Sequence, residues 1–382
     1  MLLRSYYKSG VPPQPKCGAR IQESGVRNQN NCVRFADGYD FLVFIVLCGC
    51  KRTINYITAL SVGQRFIDFC ASEEQSTDER QLTDNTQSSK RTVRVLGIFR
   101  NSVNLRANSE ILTIVSKDIG RSASSLMIDN VSRLMLTIDE IGYCQVNNIR
   151  FLNSEIDFFN APVWRGCLVK TFVNEHRNKL SWESICVLKS ALRRGDASKP
   201  NSAWCEDNEV NRLWEISNDA SRLKSVWCED SISSLIRGIV RLPDDPESAV
   251  RGLIGLGPGL TPAGDDVILG FLSVINHFSD DNDYLQKLRN TISVTLHATT
   301  DLSAQFLKNA LRYDYHEYIE GVLTALCDTP ESIVPAVTKL LGIGATSGYA
   351  IATGMYNAAV FCLNGNIDST ATTQTNIKFS VI

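Results

Sequence analysis

The chain has 382 residues, of which 43% are hydrophobic and 21% charged, and its formal net charge is −2. That length suits two domains with a sizeable core, and the composition is that of a soluble globular protein. The charge balance excludes the clustered Lys/Arg surplus of a nucleic-acid surface, so no nucleic-acid partner is expected.

Residues 1–52 read as an N-terminal extension, rich in Gly, Asn, Gln and Arg and without recognisable chemistry. The apolar run FLVFIVLC (41–48) is far shorter than the roughly twenty residues that span a bilayer. About forty residues precede it, too many for a signal peptide, so it is read as a buried strand and the chain as cytoplasmic, with no membrane partner. The twelve cysteines are scattered and read mostly as reduced, buried side chains. Cys48 and Cys50 form a C-x-C with no second pair at metal-ligand spacing, and the four histidines do not cluster with it.

The fold class expected is α+β: a small β-rich domain, as an antiparallel sheet or barrel, followed by a mostly helical one. The first domain covers 53–170 and opens with TINYITALSVGQRFIDFC (53–70), whose apolar spacing is helical. A polar linker (71–91) follows. Short β-type runs then come in succession: TVRVLGIFRNSVNLR, EILTIVSK, SSLMIDN, RLMLTI, GYCQVNNIRFL and SEIDFF. The helical domain covers 171–365. Its first helix is SWESICVLKSALRRG (181–195), and 196–229 is a polar, aromatic connection with one short helix. Beyond 230, seven segments have helical period, and 366–382 reads as an exposed tail.

The chemistry concentrates in GLGPGLTPAGDD (255–266). Thr261 before Pro262 has the form of an N-cap followed by proline at the first helical position. The glycines, among them Gly257, Gly259 and Gly264, let backbone N–H groups approach a ligand, and a helix start favours an anion. Asp265 and Asp266 fall in the first turn, where the helix dipole favours negative charge with or without a ligand. They point about 100° apart, so at most one aims at the same point as the glycine loop. A bound anion accompanied by Mg²⁺ would give Asp266 a metal-ligand role; the sequence makes no cofactor certain.

Two other loops have similar grammar. HATTDLSAQFL (297–307) places Thr299, Thr300 and Asp301 before a helix, and GIGATSGYAIATG (342–354) places Thr346 and Ser347 before another. Each alone is more often only a cap. Three in one domain suggest a shared pocket if they converge. His297 is a candidate base near Thr299, but a histidine at a helix end is more often a dipole partner. Asn101 lies in the β region as a polar candidate for a cleft. No nucleophile elbow and no P-loop occurs.

These stretches, in this order and spacing, resemble the AllH-type family of oxamate carbamoyltransferase subunits. The similarity runs from about 55 to 363 and includes RVLGIFRNSVNLR and ILTIVSKDIG. Gly257, Gly259, Thr261, Pro262, Gly264, Asp265 and Asp266 match its motif, whereas Ala263 stands in place of serine, Ala345 of histidine and Ala350 of an acidic residue. The resemblance implies a role in allantoin (purine) nitrogen use, where oxalurate and phosphate are interconverted with oxamate and carbamoyl phosphate by several subunits together.

On this reading Asp265, Asp266 and Thr261 are the catalytic candidates. Gly257, Gly259, Gly264, Thr299, Thr300, Thr346, Ser347 and Asn101 are the substrate-binding ones. The partners expected are a small anion (carbamoyl phosphate, phosphate or an oxamate-like acid) and other subunits of a hetero-oligomeric enzyme. The alternative is a non-catalytic subunit that binds a small anion or stabilises a partner, an alternative that the alanines at 345 and 350 favour.

Overall fold

A computed structural model describes residues 54–72, 91–166, 180–194 and 229–368. The extension, the Cys48/Cys50 pair, the body of the linker, the aromatic connection at 196–228 and the tail beyond 368 lie outside them.

Ten strands form one sheet: β1 (Asn55–Thr58), β2 (Ser61–Gly63), β3 (Arg91–Ile98), β4 (Ser102–Ala107), β5 (Glu110–Ser116), β6 (Ser125–Ile128), β7 (Ile141–Cys144), β8 (Asn148–Arg150), β9 (Ser154–Asp157) and β10 (Val163–Trp164). Their spatial order is β1-β9-β8-β7-β3-β4-β5-β6-β2-β10. The expected antiparallel sheet is realised in part. The β1–β9, β5–β6 and β2–β10 pairs are parallel, so the sheet is mixed.

Two local expectations are corrected. Residues 53–70 are not one helix: β1 and β2 precede α1 (Gln64–Ala71). Their ladder partners, β9, β6 and β10, lie far along the chain, and pairing overrides local apolar spacing. RLMLTI (133–138) is unpaired and follows a short 3₁₀ turn; Met135 and Ile138 are exposed. Within the sheet the alternation is clear: Val93, Val95, Val103, Leu105, Leu112 and Ile114 turn inward, and Phe66 and Phe69 of α1 fill the same core.

The described helices that follow are α2 (Trp182–Arg194), α3 (Glu229–Arg241), α4 (Pro246–Leu253), α5 (Ala263–Phe278), α6 (Asn282–Thr295), α7 (Asp301–Leu311), α8 (Glu317–Leu326), α9 (Pro330–Leu341) and α10 (Ser347–Asp368). The helix expected at 181–195 and the seven helical segments expected beyond 230 are present, whereas the short helix expected within 196–229 lies outside the described residues. α4 is an addition, and its start signal is legible: Asp245 accepts a bond from the Ser248 amide, with Pro246 at the first position.

α5 is largely apolar and buried along almost its whole length, which makes it the centre of the second core. It meets α10 at glycines. A Cβ on Gly270 would lie 1.9 Å from the Ile351 carbonyl oxygen, and one on Gly354 would lie 2.1 Å from that of Val267.

The sheet and the helices thus build separate apolar cores, and polar bonds join them. Arg65 of α1 donates to Asp314 at 2.7 Å, Arg121 grips Glu317 at 2.7 and 3.0 Å, and the Ile111 amide donates to Gln305.

Candidate functional site

The starts of α5, α7 and α10 converge, as the shared-pocket reading requires. Asp265, only 1% exposed, is the knot. Its Oδ1 accepts from the Gly255 amide at 2.7 Å; its Oδ2 accepts from the Ser303 hydroxyl at 2.8 Å and from the Thr299 hydroxyl. Burial pushes its pKa up, against the pull of these three donors, and both of its oxygens are engaged in holding the loop to α7.

Gly255 permits this fold-back. Its φ is +71°, and a Cβ there would meet the Ala298 carbonyl oxygen at 2.5 Å, so no other residue suits the position. Gly257 and Gly259 also have positive φ, and at Gly259 the backbone faces open space.

Thr261 does not cap α5. The residue at the N-cap is Pro262, and the Thr261 hydroxyl instead lies 2.9 Å from that of Ser347 at the start of α10. The physical reason is that the opening turn is already served by the loop itself. The Gly264 amide donates to the Leu256 carbonyl, and those of Asp265 and Asp266 donate to the Pro262 carbonyl. These three amides are closed to an anion. Those of Gly257, Gly259 and Leu260 have no carbonyl or side-chain partner among the described residues, so the loop crest, rather than the helix end, offers donors.

Asp266 is buried at 3% exposure, and its Oδ2 has no hydrogen-bond partner among the described residues. Burial pushes its pKa up to about 8; the Ser347 hydroxyl pulls it down and the charge of Asp265 adds to the rise. Asp266 therefore holds a proton through much of the neutral range. A metal role would fall to Asp266 alone, because both oxygens of Asp265 are taken. Among the described residues no group of three or more His, Cys, Asp or Glu is placed to hold a metal ion.

Thr300 is the N-cap of α7: it accepts from the Ser303 amide at 3.1 Å and donates to the Leu260 carbonyl at 2.5 Å, closing the loop from the other side. Thr346 supplies the carbonyl that the Ala350 amide bonds. Ala345 is exposed in the turn before α10, and Ala350 is buried in its first turn. Asn101 stands in the β3–β4 turn, with its carbonyl bonded by the Ser116 amide, and makes no bond to the three helix starts among the described residues. His297 is exposed in a 3₁₀ turn and takes no part in the knot. Ser303 was not among the binding candidates; its place in the first turn of α7, on the side facing Asp265, is a tertiary fact.

These helix starts all fall within one matched segment. Residues 253–359 match the family model of the oxamate carbamoyltransferase subunit AllH. The resemblance read from the sequence is borne out there, over less than a third of the chain, and the segment runs from the end of α4 into α10. No solved structure matches the chain. No described helix is long and apolar enough to cross a membrane.

Proposed function

We propose that this chain is a subunit of a carbamoyltransferase-like enzyme that interconverts oxalurate and phosphate with oxamate and carbamoyl phosphate in purine nitrogen catabolism. The 255–266 loop binds the phosphate or carboxylate. The observation that carries this reading is the convergence of three helix starts on a loop crest whose amides are unused, inside the segment that matches the AllH family.

The chemistry follows from the donors present. Phosphate attacks the carbamoyl carbon of oxalurate, the C–N bond breaks, and the departing oxamate nitrogen takes a proton. Crest amides aimed at the reacting anion stabilise charge that develops as the bond breaks, without reorganising at that moment. Asp266 is a proton reserve, and its route outward runs through Ser347 and Thr261, whose hydroxyls are 2.9 Å apart. A neutral carboxyl also removes the repulsion that an ionised one would exert on phosphate.

A second reading, a non-catalytic anion-binding or partner-stabilising subunit, is favoured by the alanines at 345 and 350 and by the closed amides of Gly264, Asp265 and Asp266. Calorimetric titration of the purified chain with carbamoyl phosphate, phosphate and oxamate, with and without Mg²⁺, tests the binding claim. Heat from at least one ligand, reduced about tenfold in affinity by Thr261→Val, is the expected result. No heat from any ligand, and no difference in Asp266→Ala, would sink it. Carbamoyl transfer by the isolated chain excludes the non-catalytic reading.

A further inference from the structure

The three helix starts supply acids but no cation. Segments 253–266, 296–303 and 342–350 contain Asp265, Asp266 and Asp301 and neither Lys nor Arg. A site for an anionic acid needs positive charge from elsewhere, and the sheet provides it.

Along β4 the two-residue period sets Ser102, Asn104 and Arg106 on the face opposite Val103, Leu105 and Ala107. The latter three enter the sheet core, so Arg106 turns outward to the helices, where its Nη2 donates to Asp301, the first residue of α7. Asp301 directly follows Thr299, which bonds Asp265, and Thr300, which bonds the Leu260 carbonyl of the crest. Arg106 therefore reaches the rim of the loop.

Arginines that cross from the sheet layer differ in how fully they are used. Arg65 gives Nε and Nη2 to Asp314, and Arg121 gives Nε and Nη2 to Glu317, both in half-buried pairs. Arg106 is held through one nitrogen, by a carboxylate 69% exposed, and its other N–H groups have no partner among the described residues. A guanidinium held by one corner retains a fork that fits a planar carboxylate. Independently, at the start of α5 the buried Oδ2 of Asp266 has no hydrogen-bond partner among the described residues, a polar position in the same loop that is left incomplete.

We propose that Arg106 receives the carboxylate of an oxamate-like acid at the rim of the 255–266 loop, and that Asp301 holds the guanidinium in position and competes for it. This deepens the reading given under Proposed function and rests on it. Phosphate belongs to the crest amides and the acid's carboxylate to the arginine.

The test is calorimetry of the full chain with oxamate and inorganic phosphate as separate titrants, on the wild type, Arg106→Gln and Asp301→Asn, with thermal melts to check folding. R106Q is expected to weaken oxamate at least about tenfold, as loss of a charge-assisted bond does, and phosphate less than about twofold. D301N releases the guanidinium and is expected to tighten oxamate about twofold to fivefold, the strength of an exposed ion pair. A merely structural bridge would shift both variants in the same direction, and that result overturns the proposal. So does oxamate binding unchanged in R106Q, or a larger loss for phosphate than for oxamate. If R106Q does not fold, the sign of the D301N change decides alone. Wild type that binds neither anion overturns the loop reading as well, which separates the two failures.

Discussion

Asp265 and Asp266 are neighbours in sequence with opposite circumstances in space. The first has a protein donor for each oxygen; the second has an oxygen with none among the described residues, and burial makes its proton hard to remove. This has a consequence for stability. In the unfolded chain an aspartate titrates near about 4, whereas Asp266 when folded titrates near 8. Between those values folding takes up a proton, so the residue's contribution is complete below about pH 4, falls as pH rises, and is gone above about pH 8. Asp266→Asn removes that slope. Denaturant melts are expected to show the variant gaining on the wild type by about 2 kcal/mol or more between pH 5 and pH 8.5. An unchanged difference at the two pH values contradicts a buried, protonated Asp266. The motif GDD revealed that two acids start a helix; it was silent on which of them would be satisfied, because the donors, Ser303 and Thr299, come from thirty-odd residues away.

At the scale of elements, the centre of the helical layer is a close crossing of α5 and α10. Each presents a glycine where the other's carbonyl passes, Gly270 to Ile351 and Gly354 to Val267. No side chain lies between the backbones there, so the start of α10, with Ser347, is held against that of α5, with Thr261. Gly270→Ala and Gly354→Ala would each place a methyl group near 2 Å from backbone, which cannot yield as a side-chain tip does. Each is expected to cost about 3 kcal/mol, read as a fall in melting temperature, and to disturb the Thr261–Ser347 contact. Gly321→Ala, where a Cβ meets nothing within 4 Å, is the control expected to be neutral or stabilising. The apolar period of α5 and α10 was plain in the sequence, but nothing in it singled out Gly270 or Gly354. Their role belongs to the partner helix, and a one-dimensional pattern does not contain it.

At the scale of the whole molecule, two apolar cores are joined by charge. Glu317 accepts three bonds from Arg121, one of them from its amide, and its own amide donates to the Arg121 carbonyl. Burial works against the ionisation of Glu317, but the bonds from Arg121 outweigh it and hold the carboxyl below its usual range. This joint is therefore present above the ordinary glutamate pKa and is lost as pH falls through the lower, folded value. Glu317→Ala is expected to lower stability by about 1–2 kcal/mol at pH 7, since the pair is partly exposed, and by less at pH 3. Equal losses at both pH values would contradict an ionic joint. The sequence by itself determined the order of a β-rich and a helical half, the helical segments after 230, the Gly-Thr-Pro-Asp-Asp loop and the family it resembles. Those follow from period, turn chemistry and motif, which are properties of neighbours along the chain. Only the tertiary structure decided that three strand pairs run parallel, that Asn55–Thr58 and Ser61–Gly63 form strands, that Thr261 bonds Ser347 instead of capping α5, and that Arg106 arrives at the loop from the sheet. Each of these is a contact between segments distant in sequence, and its free energy depends on both partners, so neither segment read alone carries it.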